Sequence, residues 1–351
     1  MSVSIRTDCF GEIQENDGTS KTVTRFTMSN ESIEVQIIDY GACITSLKVP
    51  DKSGKMDDIV MGFDTIEEYV NHPYYFGCTV GRFANRIAKG EFVLDDEKHS
   101  LAINNGPNHL HGGLKGFDKV IWDATVEGNK VILFYTSPSM EENYPGELKC
   151  YVIYELTEGN EIIIDYEATT TEKTPISLTN HSYFNLAGHG SGPIYDQIIS
   201  LNADYYTPVD VTLIPIGNIA PVTSTHFDLR EPKRLETLFE INPDGFDHNF
   251  CINGELGIDR KVARVQMHHP ESGRCMEVHS TQPGVQFYTA NFLPEHDTLC
   301  GKEGKYYKKH GAFCLETQNY PDAVNQANFP NAFLSPDEVY NHTTRLSFLL
   351  K

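Results

Sequence analysis

Cys150-Tyr151-Val152-Ile153-Tyr154-Glu155-Leu156, then Glu158-Gly159-Asn160, then Ile162-Ile163-Ile164-Asp165-Tyr166-Glu167-Ala168 read as two strands joined by a hairpin turn. β-Branched and aromatic side chains suit a pleated, half-buried surface, and Gly-Asn suits the reversal. Working outward, Val131-Ile132-Leu133-Phe134-Tyr135 and Ile33-Glu34-Val35-Gln36-Ile37-Ile38 repeat the pattern. Further strand candidates are Val262 to Met267, Met276 to Ser280, Val285 to Ala290 and Arg345 to Leu350. Glycine, proline and asparagine interrupt at short intervals, which is the rhythm of a sandwich or barrel. Helical periodicity is poor, and Asp64 to Val70 and Pro232 to Glu240 are the short helix candidates.

The 351 residues suffice for one large domain or for two. No Pro/Ser-rich linker, low-complexity tract, fixed-period repeat or shift in composition divides them. The expectation is an all-β fold, one large antiparallel β-sandwich domain across residues 1–351. The scarcity of helices counts against a βαβ nucleotide fold.

Hydrophobic residues make up 39% of the chain and charged ones 22%, an ordinary globular composition. Asp plus Glu number 49 against 28 Lys plus Arg, a formal charge of -21. That balance repels phosphate backbones and anionic bilayers, so neither nucleic acid nor membrane is expected as a partner. The Lys-rich stretch from Lys302 to Lys309 also holds Glu303 and reads as a solvated loop. Eight scattered cysteines lack the close pairs of zinc or redox motifs. Met1 to Asp8 lacks the apolar run of a signal peptide, and no stretch approaches a membrane span, so the expected compartment is the cytosol.

Two stretches carry proton-transfer side chains among aromatics and amides: Asn180-His181-Ser182-Tyr183-Phe184-Asn185 and Cys314-Leu315-Glu316-Thr317-Gln318-Asn319-Tyr320. An imidazole titrates near neutrality, and a desolvated carboxyl can be raised toward the same range. Gly81-Arg82-Phe83-Ala84-Asn85-Arg86-Ile87 offers an amide and two guanidinium groups, and Asn104 to Gly113 packs breakers around His109 and His111. Asp247 and Gln286 lie in two further segments, Gly245 to Phe250 and Pro283 to Thr289. Planar donors and acceptors with aromatic faces suit a neutral, hydroxyl-rich ligand.

Plainer readings stand beside these. A histidine among aromatics can be a satisfied structural group, and Glu316 in an apolar strand can be half of a buried ion pair with Arg86. His109-x-His111 is a weak metal signature without a third ligand. His268-His269 before Pro270 reads as an exposed turn, and Gly112-Gly113-x-x-Gly116, without a following helix, as a turn rather than a phosphate loop.

Taken together the segments resemble the aldose 1-epimerase (galactose mutarotase) family, in family order from about Gly41 to nearly the C-terminus. The resemblance rests on Gly81 to Gly90, Asn108-His109-Leu110-His111-Gly112-Gly113, Asn180 to Leu186, Tyr206-Thr207-Pro208-Val209-Asp210, Asp247-His248-Asn249 and Glu316-Thr317-Gln318-Asn319-Tyr320-Pro321-Asp322. It implies a galactose-mutarotase-like sandwich with a sugar cleft, no metal and no organic cofactor, and free aldohexoses such as galactose and glucose as substrates. By motif position it implies Glu316 as proton acceptor and His181 as proton donor. Sugar binding falls on Asn85, Arg86, His111, Tyr183, Asp247 and Gln286. The implied reaction is acid–base ring opening, rotation about C1–C2 and reclosure as the other anomer. The stretch before Ile33 does not look family-like, and Arg345 stands where an aromatic residue is expected. A glycoside hydrolase pairing Glu316 with Asp247, and a non-catalytic sugar-binding module, are the rival readings.

Overall fold

The computed structural model describes residues 3–14, 18–254 and 264–351. Met1 and Ser2, and Val262 and Ala263 of one strand candidate, lie outside the described residues. Every strand pair within the sheets is antiparallel. Ser4–Gln14, Ser20–Ser29, Glu34–Ile38, Cys43–Pro50 and Met56–Asp58 form a sequential five-stranded sheet. A nine-stranded sheet runs Asp123–Glu127, Lys130–Ser137, Leu148–Leu156, Glu161–Thr170, Tyr340–Leu350, Arg274–Ser280, Val265–His268, Ile198–Leu201, Lys233–Arg234. The expected hairpin forms its third and fourth strands, with Tyr154 paired to Ile164. A second five-stranded sheet orders Ala220–Pro221, Tyr205–Tyr206, Asp247–Cys251, Gly284–Tyr288 and Cys314–Gln318. The all-β expectation therefore holds.

One hydrophobic cluster takes side chains from all three sheets: Val35 and Leu47 from the first, Leu133, Ile164 and Phe348 from the second, Phe250, Phe287 and Leu315 from the third. Burying each such side chain is worth about 1.5–3 kcal/mol. The short helices appear at Ile66–Asn71 and Leu235–Ile241. Thr65 caps the former in a reciprocal box with Glu68.

Three readings of the sequence need correction, two of surface residues and one of a candidate site residue. Lys302 is buried rather than solvated, its Nζ 2.7 Å from both Asp58 Oδ2 and Thr45 O. An ammonium can be buried there because a carboxylate and a carbonyl accept from it. His269 is buried rather than exposed, held between Ser272 Oγ at 2.8 Å and Asp196 Oδ2 at 2.9 Å. Arg82 faces away from the sugar-type residues of its own segment. Its guanidinium donates to Pro145 O and Gly146 O at 2.9 Å and to Ser137 Oγ at 2.6 Å, and burial lowers its pKa to about 10. Arg82→Met is expected to cost about 3 kcal/mol, because apolar packing survives while several buried acceptors lose a charged donor. Urea unfolding measures this, and a loss below about 1 kcal/mol would mean the acceptors find other partners.

Candidate active site

Side chains alternate along a strand, so Leu315 enters the core while Glu316 faces the other way. Directly opposite Glu316 stands Gln286, and opposite Gln286 stands Asn249. Asp247 and Tyr288 occupy the same face one pleat away, paired with each other. This sheet therefore has an aromatic and aliphatic face against the core and an amide and carboxyl face against a cleft.

The other wall comes from short pairings. Arg86–Ile87 pairs with His109–Leu110, Leu110 opposite Arg86, which brings Arg86 and His111 to one end. Gly112 adopts a φ of +83°, and a Cβ there would lie 1.8 Å from Gly81 O, so only glycine lets the two segments meet so closely. Thr179–Asn180 pairs with Thr79–Val80, and His181 N donates to Cys78 O at 2.9 Å, which fixes the next residues. His181 stacks on Tyr183, centroids 5.0 Å apart, and on Tyr75 at 5.8 Å.

The cleft holds about 460 Å³, within the range of small-molecule sites. Asn85, Arg86, His111, His181, Tyr183, Asp247 and Glu316 all line it. Gln286 sits one layer behind, donating from Nε2 to Asp247 Oδ1 at 2.6 Å. Tyr75, Asn105, Tyr288 and Phe292 also line the cleft but were not singled out by sequence. Asn105 and Tyr288 lie inside segments that were; Tyr75 belongs to the run Tyr74-Tyr75-Phe76, whose aromatic density was the available signal. His109 is not a cleft group, since its ring nitrogens bond Ala102 O at 2.8 Å and Tyr144 Oη at 2.7 Å.

His181 Nε2 lies 3.6 Å from Glu316 Oε1, and the residues are 4% and 2% exposed. Burial pushes the Glu316 pKa well up, with the Asp247 charge adding to it and Arg86 partly opposing. Burial pulls His181 down to about 4. His111 is held well below its ordinary value by burial and by the neighbouring His181 and Arg86 charges. Arg86 does not pair with Glu316: its Nε donates to Asn105 Oδ1 at 3.0 Å and its Nη1 lies 3.8 Å from Asp247 Oδ2. The buried ion-pair alternative is thus replaced by an Arg86–Asp247 contact.

Single donor atoms of His111, His181 and Glu316 lie within 4.8 Å of one another, close enough to share a metal ion. The hydrogen bonding of His111 opposes that use. Asn85 N–H donates to His111 Nδ1 at 3.1 Å, so in the neutral ring Nε2 carries the proton. That nitrogen is an N–H donor for a ligand oxygen rather than a lone pair for a metal.

The family model described as aldose 1-epimerase matches residues 24–347. A galactose mutarotase from Bos taurus is 52% identical over 347 residues, 99% of either chain. Among solved structures, an aldose epimerase homologue from C. elegans has a TM-score of 0.85 at 30% identity, covering 92% of this chain and 97% of that one. A galactose 1-epimerase from Lactobacillus acidophilus has a TM-score of 0.83 at 25% identity over 99% of both. The similarity thus runs through the stretch before Ile33, which had looked foreign. Those residues build hairpin strands whose buried Val23, Phe26 and Met28 record packing rather than a site motif.

Proposed function

We propose, from the premise that this chain belongs to the aldose 1-epimerase family, that it interconverts the α and β anomers of free aldohexoses with Glu316 as proton acceptor and His181 as proton donor. The enzyme class is a carbohydrate isomerase, and the Bos taurus relative's name points to galactose, with glucose as a second substrate. The observation that carries the assignment of roles is the 3.6 Å approach of a buried imidazole to a buried carboxyl. The two oxygens that exchange protons during ring opening sit on one carbon, so acid and base have to stand this close.

Glu316 takes the C1 hydroxyl proton, the freed electron pair forms the carbonyl, and the C1–O5 bond breaks. Its electrons go to the ring oxygen, which takes the His181 proton. Rotation about C1–C2 presents the opposite carbonyl face, and reversal closes the ring. The His111 Nε2–H and Arg86 steady charge on the C1 oxygen. Each proton transfer supplies about 10²–10⁴-fold.

Burial disfavours both charges, so the free pair rests with its single proton on Glu316 and His181 neutral. The ion-paired tautomer that reacts has the same proton count, and sugar hydroxyls favour it by hydrogen-bonding the charges. Below about pH 4, His181 gains a proton while Glu316 keeps its own, and the base is lost. Above the raised Glu316 pKa the pair loses its proton, and the acid is lost. The pH–rate profile is therefore expected to be a bell, its acid limb set by His181 and its alkaline limb by the raised Glu316. Polarimetry on fresh α-D-galactose and α-D-glucose, with and without EDTA, measures it. No acceleration over buffer, or activity that EDTA removes and zinc restores, would overturn the reading.

Unphosphorylated sugars are favoured because the only lysine or arginine lining the cleft among the described residues is Arg86, already engaged by Asn105 and Asp247. The acidic net charge also argues against nucleic-acid and bilayer partners. One domain across 1–351 is supported by the shared core of the three sheets. Cytosolic placement is supported by eight free cysteines, and no helix among the described residues is long and apolar enough to cross a membrane.

A further inference from the structure

The cleft face of the Glu316 sheet continues one pleat beyond the site. There Gln318 stands opposite Gly284, and Gly284 opposite Cys251, alongside the row Asn249, Gln286, Glu316. Alternation puts Glu316 and Gln318 on the same face. Asn249, Gln286, Glu316 and Gln318 are 1%, 3%, 2% and 0% exposed. Each has a buried side-chain atom without a protein partner: Asn249 Oδ1, Gln286 Oε1, Glu316 Oε2, and both the oxygen and the nitrogen of Gln318.

Amide assignment does not remove the problem. Turning the Gln318 amide exchanges one orphan for another, and turning Asn249 leaves its nitrogen facing the space its oxygen faced. Five such atoms on neighbouring positions of one sheet face call for a shared partner, since buried polar groups are almost always bonded. Gly284 lets the Asn249 amide lie close over the strand. A Cβ there would lie 2.3 Å from Asn249 Oδ1, so that oxygen leans over the residue directly across from Gln318. Amides and a carboxyl gathered on one buried face, with polar atoms left unpartnered, are the setting in which proteins hold buried water.

We propose that Asn249, Gln286 and Gln318 hold a structural water over Gly284, and that Gln318 is a positioning residue acting through this water on Glu316 Oε2. This rests on Glu316 being the base. One water accounts for three of the five atoms: the Gln318 amide N–H donates to the water oxygen, and the water donates one hydrogen to Glu316 Oε2 and one to an amide oxygen of Asn249 or Gln286. A hydrogen bond donated to a carboxylate favours its charged form, opposing the burial that raises it. Without that bond, the shared proton stays on Glu316 more of the time and the reactive tautomer is rarer. Gln318 touches neither sugar nor reacting atoms, so substrate affinity is unaffected.

The test compares pH–rate profiles for galactose of the wild type, Gln318→Met and Gly284→Ala. Gln318→Met is expected to lower kcat about tenfold, to move the alkaline limb up by about one pH unit, and to leave KM within about twofold. Gly284→Ala, whose methyl displaces Asn249 from the water site, is expected to shift the limb in the same direction. An unmoved limb in both variants, or a change confined to KM, overturns the proposal while leaving Glu316 as the base. A wild type without a bell-shaped profile defeats the parent reading instead. Should neither variant fold, a high-resolution crystal structure of the wild type decides. A water within hydrogen-bond distance of both Gln318 and Glu316 supports the role, and a dry contact rejects it.

Discussion

Glu316→Gln is expected to bind galactose within about threefold of wild type and to lose about 10³-fold or more in kcat. The amide matches the carboxyl in shape and keeps hydrogen bonds to sugar hydroxyls, but it cannot take a proton from C1–OH. Binding survives because the remaining cleft contacts come from other segments: Asn85, Arg86 and His111 on one wall, Asp247 and Tyr288 on the other. The substitution also removes a buried acid, so the variant's fold is not at risk from an unpaired charge. Polarimetry for turnover and calorimetry for binding separate the two effects. A variant retaining half the wild-type kcat would mean that Glu316 is not the base.

His181→Asn is expected to lower kcat by about 10²–10³-fold and to raise KM much less. The donor is needed only as the ring oxygen gathers charge. A modest KM rise is expected because the imidazole also stacks on Tyr183 and Tyr75. Acid and base share one proton, so the double variant Glu316→Gln/His181→Asn should be little worse than the poorer single one. A loss confined to KM would reassign His181 to binding. Multiplying losses in the double variant would mean that the residues act independently.

Much of this was legible in sequence, for identifiable reasons. Long strands with clear alternation, such as Leu148–Leu156 and Glu161–Thr170, announce themselves because one face is buried. Two-residue pairings such as Arg86–Ile87 with His109–Leu110 have no period to read, although they set one wall of the cleft. The Ser4–Gln14 strand is mostly exposed and shows no apolar stripe. Glu316 stood out because a carboxyl among apolar neighbours demands an explanation. Tyr75 and Phe292 did not, since an aromatic that lines a cleft looks in sequence like one that fills a core. Arg82 and Arg86 share a segment and a side-chain type, and only tertiary packing sends one to backbone carbonyls and the other to the cleft.

Every turnover passes through an open-chain aldehyde, an electrophile that condenses with amines and thiols. Among the described residues lining the cleft there is no lysine and no cysteine, and the guanidinium of Arg86 is a poor nucleophile. The amides, carboxyls and phenols that line the cleft thus give the aldehyde nothing to form an imine or a thiohemiacetal with. The catalyst can generate a glycating agent through many cycles without modifying its own active site.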